Sequence, residues 1–308
     1  MTAPVQPAVR WGRAYFAVQA AAGLLWWMLI PISPFVRHAT LGSLDPFLVA
    51  LFDLPLFVAA SALAGAGSRA AAALNTAWTA LVLLALAAYA TLTTEAGWGV
   101  VFMGVAALGS GLALCLMRLG RVPIEGITWG PLAFRPADAR RGPAGHVTWT
   151  FVQIVFFWGL FLGVFPLVIR ALEVRWRLEI PLPVASVVVG WTVLALASAL
   201  GLWSAAVMSS LGRGTPLPSV MPNRLVIAGP YRWVRNPMAV SGVVQAASVG
   251  LILQSWLTVV YAIGGAVLWN YGIRPLEERD LAGRFGADYQ RYREAVRCWI
   301  PRRPVLVG

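Results

Sequence analysis

The succession of long apolar stretches is the feature that most constrains this chain. A helix needs about 20 mostly apolar residues to cross a bilayer core, and about eight such windows can be marked along the sequence. The predicted spans are residues 14–32, 44–64, 70–91, 97–117, 147–172, 184–211, 238–253 and 256–273. Hydrophobic residues make up 59% of the chain and charged residues only 12%, which is the composition of a polytopic membrane protein. We therefore predict an all-α fold, a polytopic transmembrane helical bundle.

The distribution of positive charge indicates how the bundle is oriented. All 24 basic residues are Arg, and they give a net charge of +12. They fall mostly between the apolar windows, as the positive-inside rule expects, which argues against nucleic acid as the partner. Placing both termini in the cytoplasm puts the Arg-rich loops on that side. The loop of mixed charge at 173–179 then lies outside.

Histidine and cysteine form no metal-binding or disulfide pattern. His38 and His146 are about a hundred residues apart, with no H-x-x-H or C-x-x-C motif near them. Cys115 lies in an apolar run and Cys298 follows the last helical pattern, so they offer no repeated spacing. We predict neither a metal site nor a disulfide framework.

A polar segment divides the chain into two parts. Residues 118–146 carry several Arg with only Glu125 and Asp138 as acids, and their Pro and Gly content disfavours a continuous helix. We predict a four-helix N-terminal extension at 1–117, a cytoplasmic linker at 118–146 and a second domain at 147–308. The N-terminal spans are rich in small residues, which allow membrane helices to pack closely.

Two features inside the spans admit a functional or a structural interpretation. Asp53 interrupts the second span, and an acid at membrane depth is by default a functional hypothesis. The alternative is that Asp53 lies near the interface and caps a helix that restarts at Pro55. The aromatic cluster of the fifth span is interpreted as packing. It consists of Phe151, Phe156, Phe157 and Trp158.

The loop segment GPYRWVRNPMAVSG, residues 229–242, is the first chemically unusual motif. Arg232 and Arg235 have no acid nearby, and Pro230 and Pro237 fix the backbone where a helix has to restart. Two guanidinium groups beside aromatic rings suit an anionic ligand that carries a ring. We interpret this segment as part of a cofactor site.

The second motif follows the eighth span. Apolar residues recur there at helical spacing, and they predict a cytoplasmic amphipathic helix. These residues are Leu276, Leu281, Phe285, Tyr289, Tyr292 and Val296. Glu277 and Glu278 are the first acidic residues after Glu179. This acidic pair is therefore complementary in charge to the Arg-bearing loop.

These two motifs together resemble the isoprenylcysteine carboxyl methyltransferase family of integral-membrane enzymes. The resemblance rests on GPYRWVRNPM, then a helical hairpin, then EERDLAGRFGADYQRYREAV and a closing WIPR. It covers roughly the last 110 residues and is specific because both motifs occur with the hairpin between them. Asn236 stands where many members have His, as is common in bacterial forms, and Ala239 stands where many have Tyr.

The resemblance implies S-adenosylmethionine as cofactor and a lipophilic acceptor that enters from the bilayer: a carboxylate, a lipid or an isoprenoid-type small molecule. It assigns 147–308 to the methyltransferase domain and implies a bacterial inner membrane with the cofactor site on its cytoplasmic side. Arg274, placed to orient the acceptor, and Glu277 are implied in catalysis. By motif position, the implied cofactor-binding residues are Leu225, Gly229, Pro230, Tyr231, Arg235, Asn236, Pro237, Gly242, Glu277, Glu278 and Tyr289.

Two other classes of function stay open on the sequence. A reductase of the related sterol-reductase fold would bind NADPH, and Arg213 and Arg224 could hold its phosphate, but the longer pattern of those enzymes is absent. A non-catalytic transport or assembly protein would have Asp53 as its main polar feature. In a further alternative, Arg235 is an ordinary positive-inside anchor and Glu277 belongs to a solvated first turn of a helix.

Overall fold

The computed structural model describes residues 7–125, 143–212 and 223–301. Helices, but no strands, occur in these ranges. Seven of the described helices are long and apolar enough to cross a membrane. The predicted all-α transmembrane bundle is therefore confirmed. Arg213 and most of the predicted linker lie outside the described residues.

The helices follow the predicted spans closely. In the first part of the chain they are α1 (Pro7–Ile32), α2 (Pro34–Thr40), α3 (Pro46–Asp53), α4 (Ala60–Ala66), α5 (Arg69–Thr93) and α6 (Gly97–Leu119). The later helices are α7 (Pro143–Trp158), α8 (Phe165–Arg175), α9 (Ala185–Gly212), α10 (Pro237–Ile252), α11 (Trp256–Leu268) and α12 (Arg274–Ala295). Contacts group the described residues into two compact units. The N-terminal unit is Met1–Pro123 with Leu172–Leu178, and the C-terminal unit is Ile124–Ala171 with Glu179–Gly308.

Three π-helical segments join consecutive α-helices without a break. Leu54–Ala59 joins α3 to α4, Gly159–Val164 joins α7 to α8, and Trp269–Ile273 joins α11 to α12. In a π-helical segment some backbone carbonyl groups do not make the regular α-helical hydrogen bonds, and in an apolar medium they need other hydrogen-bond donors. Asn75 Nδ2 supplies one to the carbonyl of Phe57 at 3.0 Å, and Tyr261 Oη supplies one to the carbonyl of Phe161 at 3.2 Å.

Asp53 belongs to the polar interior of the N-terminal unit. Trp27 Nε1 donates to Asp53 Oδ2 at 2.8 Å and Trp78 Nε1 donates to Oδ1 at 3.1 Å. The capping alternative for Asp53 is wrong: the helix begins earlier, where Asp45 Oδ1 accepts from two backbone amides, and Asp53 makes no side-chain cap. Pro55 produces the π-helical segment rather than a new helix start, because the chain is already helical there.

The seventh and eighth predicted spans differ in length. Helix α10 has 16 residues, or about 24 Å, which is shorter than a bilayer core of about 30 Å. The chain from Trp256 to Ala295 is one run of 40 residues, about twice the length that a bilayer needs. The charged residues of this run begin at Arg274, so α12 lies beyond the membrane-spanning part. The turn between α10 and α11 is the tight hairpin that was predicted, with Ser255 capping α11.

The C-terminal unit places α12 against the loop that precedes α10. Tyr289, Tyr292 and Val296 are buried and form a cluster with Leu225 and Ile227. The predicted amphipathic helix is thus present, and its apolar side packs on the loop. Gly286, with φ +52°, breaks the helical geometry inside α12. This packing brings the two sequence motifs together.

Candidate active site

A cavity of about 450 Å³ lies within the C-terminal unit. This volume is in the range of sites that hold small molecules. Its lining comes from α7, from the loop before α10, from the junction of α11 with α12, and from Cys298 near the end of the described chain. Most of the lining is apolar, and the charged groups come from three Arg and two Glu residues. The three Arg are Arg224, Arg235 and Arg274, and the two Glu are Glu277 and Glu278.

The loop before α10 is held in place through its backbone. Gly229 has φ +53°, in the left-handed region, and a Cβ there would lie 3.0 Å from Val207 Cγ2. A 3-10 turn, Gly229–Arg232, follows and buries the side chain of Tyr231. Tyr292 Oη on α12 donates to the carbonyl of Tyr231 at 2.7 Å. The loop is therefore fixed between α9 and α12.

Arg235 ties this loop to both ends of α12. Its Nη2 lies 3.1 Å from Glu278 Oε1 near the start of the helix. Its Nη1 donates to the carbonyl of Arg293 at 3.4 Å, and its backbone N–H donates to the carbonyl of Arg297 at 3.0 Å. The side chain of Arg235 is well enclosed, whereas Arg232 is exposed. Of the two guanidinium groups in the motif, only that of Arg235 therefore faces the cavity.

Glu278 lies between two guanidinium groups. Besides Arg235, Arg274 approaches it, with Arg274 Nε 3.4 Å from Glu278 Oε1. Arg274 Nη1 also donates to Asn270 Oδ1 at 2.7 Å, and Trp299 Nε1 donates to the same oxygen at 2.9 Å. The π-helical segment that carries Asn270 thus fixes both Arg274 and the segment around Trp299. Glu278 and Arg274 form a pre-organised ion-pair network at one side of the cavity.

Glu277 is held differently from its neighbour. Asn236 Nδ2 donates to Glu277 Oε2 at 3.3 Å, and no Arg of the described chain is paired with Glu277. Burial raises the pKa of Glu277 to about 7, and the negative charges of Glu278 and Asp280 add to this increase. A cationic ligand would stabilise the ionised form of Glu277, because its positive charge compensates for the lost hydration and for the repulsion by Glu278 and Asp280.

The structure brings most of the predicted site residues to this one cavity. Those that line it are Leu225, Tyr231, Arg235, Asn236, Arg274, Glu277, Glu278 and Tyr289. Gly229, Pro230 and Pro237 do not line it but shape the loop, since Pro237 starts α10 and Pro230 is buried in the 3-10 turn. Gly242 lies on α10 away from the cavity, and a Cβ there would meet no atom within 4 Å. Trp233, another ring of the motif, is 46% exposed and also lies outside the lining.

One wall of the cavity was missed in the sequence. Helix α7 contributes Phe157 and Trp158, which the sequence analysis interpreted as packing, and also Thr150 and Gln153. Phe151 and Phe156 of the same cluster are exposed. The signal available in the sequence was the spacing of Thr150 and Gln153. These polar residues lie three positions apart in a mostly apolar span, and this spacing places them on one face of a helix.

The fold and the site together define a class of protein. This is an integral-membrane helical bundle with a cavity in which an Arg-bearing loop meets an acidic helix start. Residues 185–288 match the family model of phospholipid methyltransferases, which covers α9, the loop, α10, α11 and α12 as far as Asp288. This part of the chain is therefore a membrane methyltransferase domain, and the resemblance to the isoprenylcysteine carboxyl methyltransferase-like family is confirmed over it. A comparison with curated proteins gave no match.

Proposed function

We propose that this protein transfers a methyl group from S-adenosylmethionine to a lipophilic acceptor taken from the bilayer. The observation that carries the proposal is the position of Glu277 and Arg235. Both line a single cavity inside the methyltransferase domain, on elements joined by the α10–α11 hairpin. The hydrogen-bonding groups that these and neighbouring side chains have available indicate which part of the cofactor or the acceptor each would bind.

The residues present fit S-adenosylmethionine. This cofactor supplies an electrophilic methyl group on a sulfonium sulfur. Glu277, which has no cationic partner among the described residues, suits the ammonium group of the cofactor, and a charge-assisted hydrogen bond is the strong kind. Arg235 has a buried Nε without a hydrogen-bond partner, so it has a donor left for the carboxylate. Tyr231 and Tyr289 offer ring faces to adenine or to the sulfonium.

Glu278 and Arg274 have a positioning role in this account. Glu278 already forms ion pairs with two guanidinium groups. It therefore holds Arg235 in position and does not compete with Glu277 for the ammonium group of the ligand. Arg274 is fixed by Glu278 and Asn270 at the junction of α11 and α12. From this position it borders the space for the acceptor, which agrees with the orienting role that the family resemblance implies.

The apolar lining of the cavity favours an acceptor that is mostly hydrocarbon. Ile154, Phe157 and Trp158 on α7 line the cavity together with Met238 and Phe285. Such a lining excludes water and allows the acceptor to approach the methyl group in line, which is the main requirement of methyl transfer. The acceptor would come from the bilayer that surrounds α7 and α11.

We further propose the orientation and the division of the chain. The membrane is a bacterial inner membrane, both termini lie on its cytoplasmic side, and the cavity opens on that side, because Arg224 and Arg235 of the loop before α10 line it. The methyltransferase domain comprises 147–308, and 118–146 is the linker. Residues 1–117 form an added bundle whose polar groups, including Asp53, bond within the bundle.

The test is methyl transfer in a defined membrane. The purified protein in lipid nanodiscs is given S-adenosylmethionine with a radiolabelled methyl group together with an organic extract of the native membrane. We expect label in the lipid fraction, a mass increment of one methylene in the product, and loss of both in Glu277→Gln. Binding of NADPH instead of S-adenosylmethionine, in parallel titrations of one sample, would overturn the proposal in favour of a reductase.

A further inference from the structure

Two side-chain oxygens on the α7 wall of the cavity lack hydrogen-bond partners. Thr150 is 1% exposed, and its Oγ1 is buried without a hydrogen bond. Gln153 Oε1, one turn further along α7, is also buried without a hydrogen bond. Both residues line the cavity. Neither belongs to the segment that matches the methyltransferase family.

Thr150 differs from the other hydroxyl residues in the spans. In an apolar helix a Thr or Ser normally donates back to the carbonyl four residues earlier. Thr76 does so to Ala72 at 2.7 Å, and Thr192 does so to Val188 at 2.9 Å. Thr150 does not, although it is more deeply buried than Thr192. Its hydroxyl therefore remains available to a group inside the cavity.

An unpaired buried oxygen is unfavourable relative to a paired one, because it has given up its hydrogen bonds to water without replacing them. Because two such oxygens lie on one face of α7, a ligand group that donates a hydrogen bond would be stabilised there. The neighbours of this pair on α7 that line the cavity are apolar or aromatic: Ile154, Phe157 and Trp158. This part of the wall provides an amide oxygen that accepts a hydrogen bond and a hydroxyl that donates or accepts one, but no charge.

An anionic head group fits this wall poorly. The three Arg residues that line the cavity lie on elements other than α7: Arg224 and Arg235 belong to the loop before α10, and Arg274 starts α12. No Asp or Glu of α7 lines the cavity, so a fixed cation would find no counter-charge on this wall either. An uncharged hydroxyl group can donate to Gln153 Oε1 and accept from the Thr150 hydroxyl, so that both oxygens are paired and no charge is left unpaired.

We propose that Thr150 and Gln153 bind the head group of the acceptor and select an uncharged hydroxyl on an apolar body, an alcohol or a phenol from the bilayer. The apolar body lies against the aromatic residues of α7. This inference rests on the proposed function, since it assigns the acceptor side of the same cavity. It adds two specificity-determining residues from outside the family-matched segment.

The experiment measures binding of matched lipophiles to the full-length protein in nanodiscs. The ligands are farnesol, farnesoic acid, farnesylamine and the corresponding hydrocarbon, and the variants are Thr150→Val and Gln153→Leu. Thr150→Val keeps the shape of the side chain, and Gln153→Leu replaces the amide by a shorter apolar side chain. Thr192→Val, on the exposed side of α9, is the control. Binding of S-adenosylhomocysteine to each variant is measured separately by calorimetry.

We expect farnesol to bind more tightly than the acid and the amine. Thr150→Val and Gln153→Leu each weaken farnesol about tenfold, as the loss of a buried hydrogen bond predicts. They strengthen binding of the hydrocarbon, because no oxygen is then left unpaired, and Thr192→Val changes neither. S-adenosylhomocysteine binding is unchanged in all three, which shows that the cavity is folded.

Preference for the acid or the amine, or farnesol binding that neither α7 variant changes, would overturn the proposal. An equal loss of farnesol affinity in Thr192→Val would do the same. The lipophile measurements need no methyl donor. Failure of the wild-type protein to bind S-adenosylhomocysteine would therefore count against the proposed function, whereas the farnesol comparison decides the role of Thr150 and Gln153.

Discussion

Asn236 contacts Glu277 with one end of its side chain and caps a helix with the other. Its Nδ2 donates to Glu277 Oε2 at 3.3 Å, and its Oδ1 accepts from the backbone N–H of Ala239 at 3.1 Å. The start of α10 and a carboxylate of α12 are therefore positioned by one amide. A side chain that only donates or only accepts cannot serve both elements, so this position needs a side chain that does both.

Asn236→Asp separates these two functions. Aspartate is as good an N-cap as asparagine, so α10 should keep its start. The donor to Glu277 is lost and a second negative charge faces it. We expect affinity for S-adenosylhomocysteine to fall about tenfold, with circular dichroism unchanged. Calorimetry checks this, and wild-type affinity in Asn236→Asp would show that the contact with Glu277 is irrelevant to binding.

The pKa of Glu277 predicts a pH dependence in two opposite directions. Because burial raises this pKa from 4.5 to about 7, the ligand-free protein loses stability as pH rises from about 4.5 to about 7, and the loss levels off above that. Binding of a ligand with an ammonium group needs the ionised form, so affinity should rise several-fold from about pH 6 to about pH 7.5. Thermal melts from about pH 4.5 to about pH 7.5 measure the first effect, and calorimetry from about pH 6 to about pH 7.5 measures the second. Neither trend should remain in Glu277→Gln, and persistence of both there would assign them to another group.

Arg235→Ala removes the link between the loop and both ends of α12. Glu278 keeps only Arg274, and the carbonyl of Arg293 loses its donor. Breaking a partly buried pair in this way costs about 1–3 kcal/mol, so we expect a lower melting temperature and weaker binding of S-adenosylhomocysteine. Arg232→Ala is the matched control, because Arg232 is exposed in the same loop. Equal effects of the two substitutions would favour the interpretation of both as membrane anchors.

Asp53→Asn tests whether the N-terminal unit holds an active group. An amide can accept from only one of the two indoles, so Trp27 or Trp78 loses its partner. We expect destabilisation of about 1–3 kcal/mol in thermal unfolding and no change in S-adenosylhomocysteine affinity. Asp45→Asn, at an exposed cap that asparagine fills equally well, should be neutral. Loss of binding in folded Asp53→Asn protein would give Asp53 a functional role.

The elements that could be predicted from the sequence are those set by local patterns. Apolar windows located the spans within a few residues, and the apolar spacing from Leu276 to Val296 predicted α12. The partners of Asp53 could not be predicted, because Trp27 and Trp78 come from two other helices. The π-helical segments were also missed, since they depend on which donors reach the displaced carbonyls.

In the candidate site, too, local sequence patterns were predictable and contacts between elements were not. Charge complementarity between the loop and Glu277 with Glu278 was visible in the sequence, and it led to the correct pair of elements. The sequence could not distinguish the two acids. Glu278 is engaged by Arg235 and Arg274, whereas Glu277 is not, and this depends on side-chain directions along α12. The α7 wall lay outside both motifs, so the spacing of Thr150 and Gln153 was the only sequence signal that could have indicated it.

Calorimetric titration of S-adenosylhomocysteine into the wild-type protein, Glu277→Gln and Glu294→Gln tests the central claim most directly. Glu294 lies exposed on the same helix and receives the same substitution. We predict that the wild-type protein and Glu294→Gln bind with similar affinity and that Glu277→Gln binds at least about tenfold more weakly, as the loss of a charge-assisted hydrogen bond requires. No binding to the wild-type protein, or equal binding to all three, would contradict the account.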